Sequence, residues 1–243
     1  MNMLEKDRYL ANLRDSVALV AHVADGNLSR PVPSCPNWTM SHLVWHCTRV
    51  HEAIVQIVVD KVQGFDKLRP YKRVNDEVLV DTFVNGANTL IDVFTSTPQD
   101  DEIWSWVGPA PVTWAIRRMA QETMVHAWDA ATAIGPAPTM PGDMASDGID
   151  EFLHNFLRLQ RESMPAPGGS VHIHCTDVHG EWFIDEPEVG NITITREHAK
   201  GTCAIRGEAS QLLLVLWRRQ PLSSVEVIGA QDVAARFVER TAL

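Results

Sequence analysis

Through the first two-thirds of the chain, apolar positions recur every three or four residues; in the last third they alternate. Leu4, Leu10, Leu13, Val17, Val20 and Ala24 form a helical stripe over residues 4–25. The proline-rich segment SRPVPSCPN then breaks the pattern. A second helix is predicted from Thr39, a suitable N-cap, through SHLVWHCTRVHEAIVQIVVDKV. A third begins near Asn75 and carries Val78, Val80, Phe83, Leu90 and Phe94. A fourth starts near Thr113 and ends at Gly135-Pro136, and a fifth covers about 144–161. Long helices with short connections predict an antiparallel helical bundle over residues 1–163.

MPAPGGS, residues 164–170, reads as a linker. Beyond it, VHIHCTD, EWFIDE, NITITRE and SSVEVIG are short, β-branched and roughly alternating, as strands are. GEASQLLLVLWRR and DVAARFVERTAL read as helices. Residues 171–243 are therefore expected to form a small α+β domain.

Composition narrows the function classes. The chain has 243 residues, 45% of them hydrophobic, and a formal net charge of -10. Basic residues come singly or in pairs such as Arg117-Arg118, so nucleic-acid binding is not expected. Cys35, Cys47, Cys175 and Cys203 are widely spaced, without CxxC, which argues against a disulfide framework or a zinc ribbon. MNMLEKDRYLANL lacks a long apolar core, so neither a signal peptide nor a membrane span is expected, and the reduced cytoplasm is the expected compartment.

The candidate chemistry centres on Glu122 and His126. Four residues apart on a helix, they point the same way. One more ligand would complete a three-donor divalent metal site with coordination positions left over. His42, His46 and His51 on the second helix are candidates; His46 shares the stripe of Leu43, Val50, Ile54 and Ile57 and ranks first. The competing explanation is a half-buried carboxylate compensated by Arg118, one turn back.

SCPNWTMSHLVWHCTRVHEA resembles the entry to the second helix in the mycothiol-dependent maleylpyruvate isomerase family, and the ExxxHxxD spacing in RRMAQETMVHAWDA resembles its metal helix. ASDGIDEFL, HCTDVHGEW and RGEASQLLLVLWRR resemble its two-domain actinobacterial members. The resemblance implies a DinB-like four-helix metalloprotein bundle followed by a sterol-carrier-like α+β domain. It places the metal, usually zinc though nickel or iron fits the same donors, on His46, Glu122 and His126. Cys47 stands where the family usually has an apolar residue, and is read as a small buried hydrophobe.

The same resemblance implies mycothiol as cosubstrate. A metal-bound thiol is deprotonated and becomes the nucleophile. Asp129, one turn beyond His126, is placed to orient that ring, and Arg219 or its neighbour Arg218 to meet an anionic substrate. His172 and His174 share a strand face, with no third ligand apparent nearby, and are expected to be structural. Asp147, Asp150 and Glu151 are assigned to a helix N-terminus, and Trp104, Trp106, Trp114 and Trp128 chiefly to the core.

The leading expectation is thiol S-transfer to a small electrophile, with maleylpyruvate cis–trans isomerisation as the alternative within the same chemistry. The rivals are a non-catalytic metal-binding stress or regulatory protein on the same scaffold and a metal-dependent hydrolase. The expected partners are the thiol and the electrophile, with a monomer or homodimer as the assembly.

Overall fold

The computed structural model describes residues 3–157 and 165–241. The chain divides into two compact units, Leu4–Pro138 and the part from Thr139 onward.

Four long helices build the first unit: α1 (Lys6–Ala24), α2 (Met40–Val59), α3 (Asp76–Ser96) and α4 (Val112–Thr132). Helix α1 packs along α4 and α2 along α3, while α1–α3 and α2–α4 contacts close the set. Leu10, Leu13, Val17, Val20 and Ala24 of the first stripe are all buried. On α3 the buried line runs through Leu79, Phe83, Leu90 and Phe94, whereas Val78 is exposed. Each fully buried leucine or phenylalanine contributes about 2 kcal/mol. Thr39 caps α2 as expected: its backbone N–H donates to Nδ1 of His42 (3.1 Å), completing a capping box. A hairpin of two short strands, β1 (Glu102–Ile103) and β2 (Ala110–Pro111), leads into α4.

Among the described residues the second unit holds α5 (Gly142–Asn155) and five strands: β3 (Val171–Cys175), β4 (Glu181–Asp185), β5 (Thr193–Thr195), β6 (Cys203–Gly207) and β7 (Glu226–Gly229). Helices α6 (Ala209–Leu216) and α7 (Gln231–Glu239) complete it. The sheet order is β5-β4-β3-β6-β7; β3 and β6 run parallel, the other pairs antiparallel. Val171, Ile173, Trp182, Ile184, Cys203 and Ile205 bury one face, with Leu212, Leu213 and Phe237 from the helices in the same core.

Helix α5 groups with this second unit, not with the four helices before it, so the change of unit falls near Pro138 and not at 164–170. Its buried face packs on α6, and Phe152 meets Trp217 edge-on at 5.0 Å. Residues 158–161 of the predicted helix lie outside the described residues. Because α5 opens at Gly142, Asp147, Asp150 and Glu151 are buried in its interior, and Asp143 is the acid of its first turn. Asp150 accepts from the Trp182 indole N–H (2.9 Å) and from both Nε and Nη2 of Arg196 (2.5 and 2.7 Å). Strand β6 was not foreseen: only Ile205 stands out in CAIRG, yet the strand is interior, paired on both sides. Among the described residues no cysteine forms a disulfide, and no helix is long and apolar enough to cross a membrane.

Candidate metal centre

Packing of α2 against α4 brings His46 to the Glu122–His126 pair. Oε1 of Glu122 lies 3.0 Å from Nε2 of His46 and 3.2 Å from Nε2 of His126. The three donor atoms lie within 4.8 Å of one another. The second oxygen, Oε2, accepts from Nη2 of Arg118 at 2.9 Å. Arg118 is 1% exposed, so this is a buried, charge-assisted bond. The Arg118 compensation is therefore present on Oε2, while Oε1 faces the two histidines.

Asp129 stands behind His126. Its Oδ2 lies 3.0 Å from His126 Nδ1, and the carboxylate is fully buried. The Ser34 hydroxyl donates to Oδ1 at 2.5 Å, and the Cys35 thiol donates to Oδ2 at 3.6 Å. A ring whose Nδ1 is held by a carboxylate turns Nε2 to its far side, the nitrogen that a metal would take in exchange for its proton.

The other two histidines of α2 are engaged elsewhere. His42 is held at the cap by Thr39. His51 is buried, its Nε2 2.9 Å from the Thr123 hydroxyl and its ring stacked on Phe83. Only His46 is placed beside Glu122 and His126.

The electrostatics match this arrangement. Burial opposes charge on Glu122, but its bonds with His126 and His46 and the Arg118 charge outweigh it and hold the carboxyl well below its usual range. Burial likewise works against a charged His126, yet its bonds to Asp129 and Glu122 lift it to about 9. Without a metal, His126 and Glu122 form an ion pair. His51, lacking a carboxylate partner, is lowered by burial to about 4. Cys47 is 1% exposed and its thiol is pushed up by burial, then by the Glu122 and Asp129 charges, in keeping with a small buried hydrophobe.

A cavity of about 410 Å³ opens beside His46, lined by Trp38, Trp45, Arg49 and Phe65 among others. Trp38 bridges the cluster, its ring centroid 5.0 Å from His46 and 6.3 Å from His126. Trp38, Ser34 and Cys35 all lie in the segment before α2, which periodicity marks only as a break. Trp104, Trp106, Trp114 and Trp128 are half-buried, not core. The first two gather on Phe65, at 4.9 and 6.0 Å, and Trp114 packs on Trp106 at 4.6 Å. Arg219 belongs to the second unit, where it donates to the Trp217 carbonyl (2.9 Å); Arg218 is exposed and donates to the Glu239 carbonyl (3.2 Å).

Comparison with known proteins gives two family matches. The mycothiol maleylpyruvate isomerase N-terminal domain matches residues 9–131, and the corresponding C-terminal domain matches residues 143–236. No curated protein matches the chain. Two solved structures do: crystal structures of the mycothiol-dependent maleylpyruvate isomerase and of a point mutant of it, with TM-scores of 0.61 and 0.63. Each is 13% identical and covers 93% of this chain and 95% of the solved one, a likeness that shows a shared fold.

Proposed function

Because the chain belongs to the mycothiol maleylpyruvate isomerase family, we propose that it is a mycothiol-using, metal-dependent enzyme acting at the His46–Glu122–His126 cluster. The carrying observation is the convergence of two imidazole nitrogens and one carboxylate oxygen beside a cavity. Two histidines and a carboxylate are a donor set that suits zinc, with nickel or iron as alternatives. We read the first unit as a DinB-like four-helix bundle and the second as a sterol-carrier-like domain.

A divalent metal there would supply the Lewis acidity that keeps the mycothiol sulfur a thiolate at neutral pH. The residues of the chain do the rest. Asp129 fixes the His126 ring with Nε2 inward, and Ser34 and Cys35 fix Asp129. Arg118 neutralises the half of Glu122 that faces away from the cluster. Trp38 and Trp45 offer aromatic walls and Arg49 a cation for an anionic substrate. Arg219 is the cation we assign from the second unit, tested by loss of kcat/KM in Arg219→Ala but not in Arg218→Ala.

Cis–trans isomerisation is the reading that the family favours. The thiolate adds to the activated double bond, forming a C–S bond and breaking the π bond. The carbon chain rotates; the C–S bond then breaks, the trans double bond forms and the thiolate is released. In the S-transfer reading the adduct is protonated and leaves with the sulfur. Assay of metal-loaded protein with mycothiol and maleylpyruvate separates the two, since isomerisation consumes no thiol and transfer consumes one per turnover. Glu122→Ala and His126→Ala are expected to lose stoichiometric zinc and turnover together; retention of zinc by both variants overturns the assignment. Hydrolysis that persists without thiol identifies a hydrolase, and metal-loaded protein with no mycothiol thermal shift identifies the non-catalytic rival.

A further inference from the structure

A second group of metal-type donors lies in the other unit, on the sheet face turned away from its apolar core. His172 and His174 alternate along β3 and share this face. Register places Glu181 of β4 directly opposite His174 and diagonal to His172. The chain after β5 brings His198 over the same carboxylate. Glu181 Oε1 lies 2.8 Å from His174 Nδ1; Oε2 lies 2.8 Å from His198 Nδ1 and 3.4 Å from His172 Nε2. All four donors fall within 4.8 Å of one another.

From this convergence the geometry points to a second divalent metal site, of the zinc class, held by His172, His174, His198 and Glu181. Nε2 of His172 is aimed into the cluster; the residue is only 6% exposed, and the atom's one near partner there is Glu181 Oε2 at 3.4 Å, too long and poorly aligned for a good hydrogen bond. A buried nitrogen so weakly satisfied is costly, and a metal would satisfy it fully. Three imidazoles and one carboxylate fill a tetrahedral shell, which is the closed, structural kind of zinc site. Zinc bonds of about 2.0–2.2 Å put donors roughly 3.4 Å apart, so the widest separation must close by no more than about 1.4 Å while the 2.8 Å contacts of Glu181 with His174 and His198 open by about 0.6 Å. The His198 side chain is 79% exposed and lies beyond the strand, so it has room to make that movement.

Neighbouring charges permit a cation. Arg196 is spent on Asp150, and Arg206, beside His174 on β6, pairs with Glu226 at 3.0 Å. A cavity of about 260 Å³ lined by Glu181, Glu197 and His198 gives an entry path. The bound ion would tie the 196–202 segment to the sheet and stiffen the edge that β5 forms.

The test separates this site from the one between α2 and α4. Full-length His46→Ala/Glu122→Ala protein is titrated with zinc against a chromophoric chelator, and with Co2+ for its tetrahedral d–d bands. One equivalent is expected to bind, with slower amide exchange over 196–202. Adding His174→Ala and His198→Ala should weaken that equivalent at least a hundredfold. No binding by the first variant, or unchanged binding by the second, overturns the proposal. Should the first variant misfold, wild-type protein and His174→Ala/His198→Ala alone are compared: the variant must hold one equivalent fewer, and equal stoichiometry overturns the proposal.

Discussion

Nδ1 of His126 sits 3.0 Å from Oδ2 of Asp129, three residues along the same helix and wholly shielded from solvent. That contact sets which nitrogen of the ring faces His46 and Glu122. Loss of such an orienting carboxylate typically costs 10–100-fold in metal affinity. Asp129→Ala is therefore expected to weaken zinc binding by about that factor in chelator competition, while Ser34→Ala, which removes one of the supports of Asp129, has a smaller effect in the same direction. Unchanged affinity in Asp129→Ala would remove the residue from the site.

Trp38 lies against both His46 and His126 and forms one wall of the adjoining cavity. A lost aromatic wall costs about 1 kcal/mol, roughly a fivefold change in affinity. Trp38→Ala should show a smaller mycothiol thermal shift than wild type at equal metal content. Trp128→Ala, on a half-buried tryptophan outside that cavity lining, is the control and should keep the full shift.

His51 gives the fold an acid-sensitive point. Its pKa is lowered to about 4 in the folded chain, against about 6.5 when unfolded. Below 6.5 the unfolded chain takes up a proton that the folded chain refuses. Stability is therefore full above pH 6.5 and declines as pH falls toward 4, by on the order of 3 kcal/mol. Denaturant midpoints of metal-free protein across this window should fall, and His51→Gln should flatten that slope.

Asp150 joins three elements of the second unit, taking hydrogen bonds from Trp182 on β4 and from Arg196 after β5. Asp150→Ala leaves a buried indole N–H without this acceptor and should destabilise the unit by about 2–3 kcal/mol. Trp182→Phe, which removes only the neutral donor, should cost about 1 kcal/mol in urea unfolding.

The helices were legible because their apolar stripes are long and their caps explicit: Thr39 and Asn75 stand at the starts of α2 and α3. The Glu122–His126 pair was legible for the same reason, since helical period alone fixes its geometry. His46 could be ranked above His42 and His51 by its stripe, but the hydrogen bonds to Thr39 and Thr123 that occupy the other two are tertiary facts. Ser34, Cys35 and Trp38 lie in irregular chain, where no period assigns a direction to a side chain. The grouping of His172 and His174 with Glu181 and His198 depends on strand register and on the path after β5, neither of which a linear pattern encodes. Helix α5 was assigned to the wrong neighbours because proline and glycine at 164–170 mark a turn without marking which unit precedes it.

Arg118 decides how many oxygens Glu122 can give. By holding Oε2 inside the protein it leaves a single oxygen turned toward the histidines. A carboxylate so divided would offer a metal one donor atom rather than two, and so would leave more of the ion open to small molecules. The arginine touches none of the proposed chemistry, yet it sets how much of the ion an incoming thiol would find.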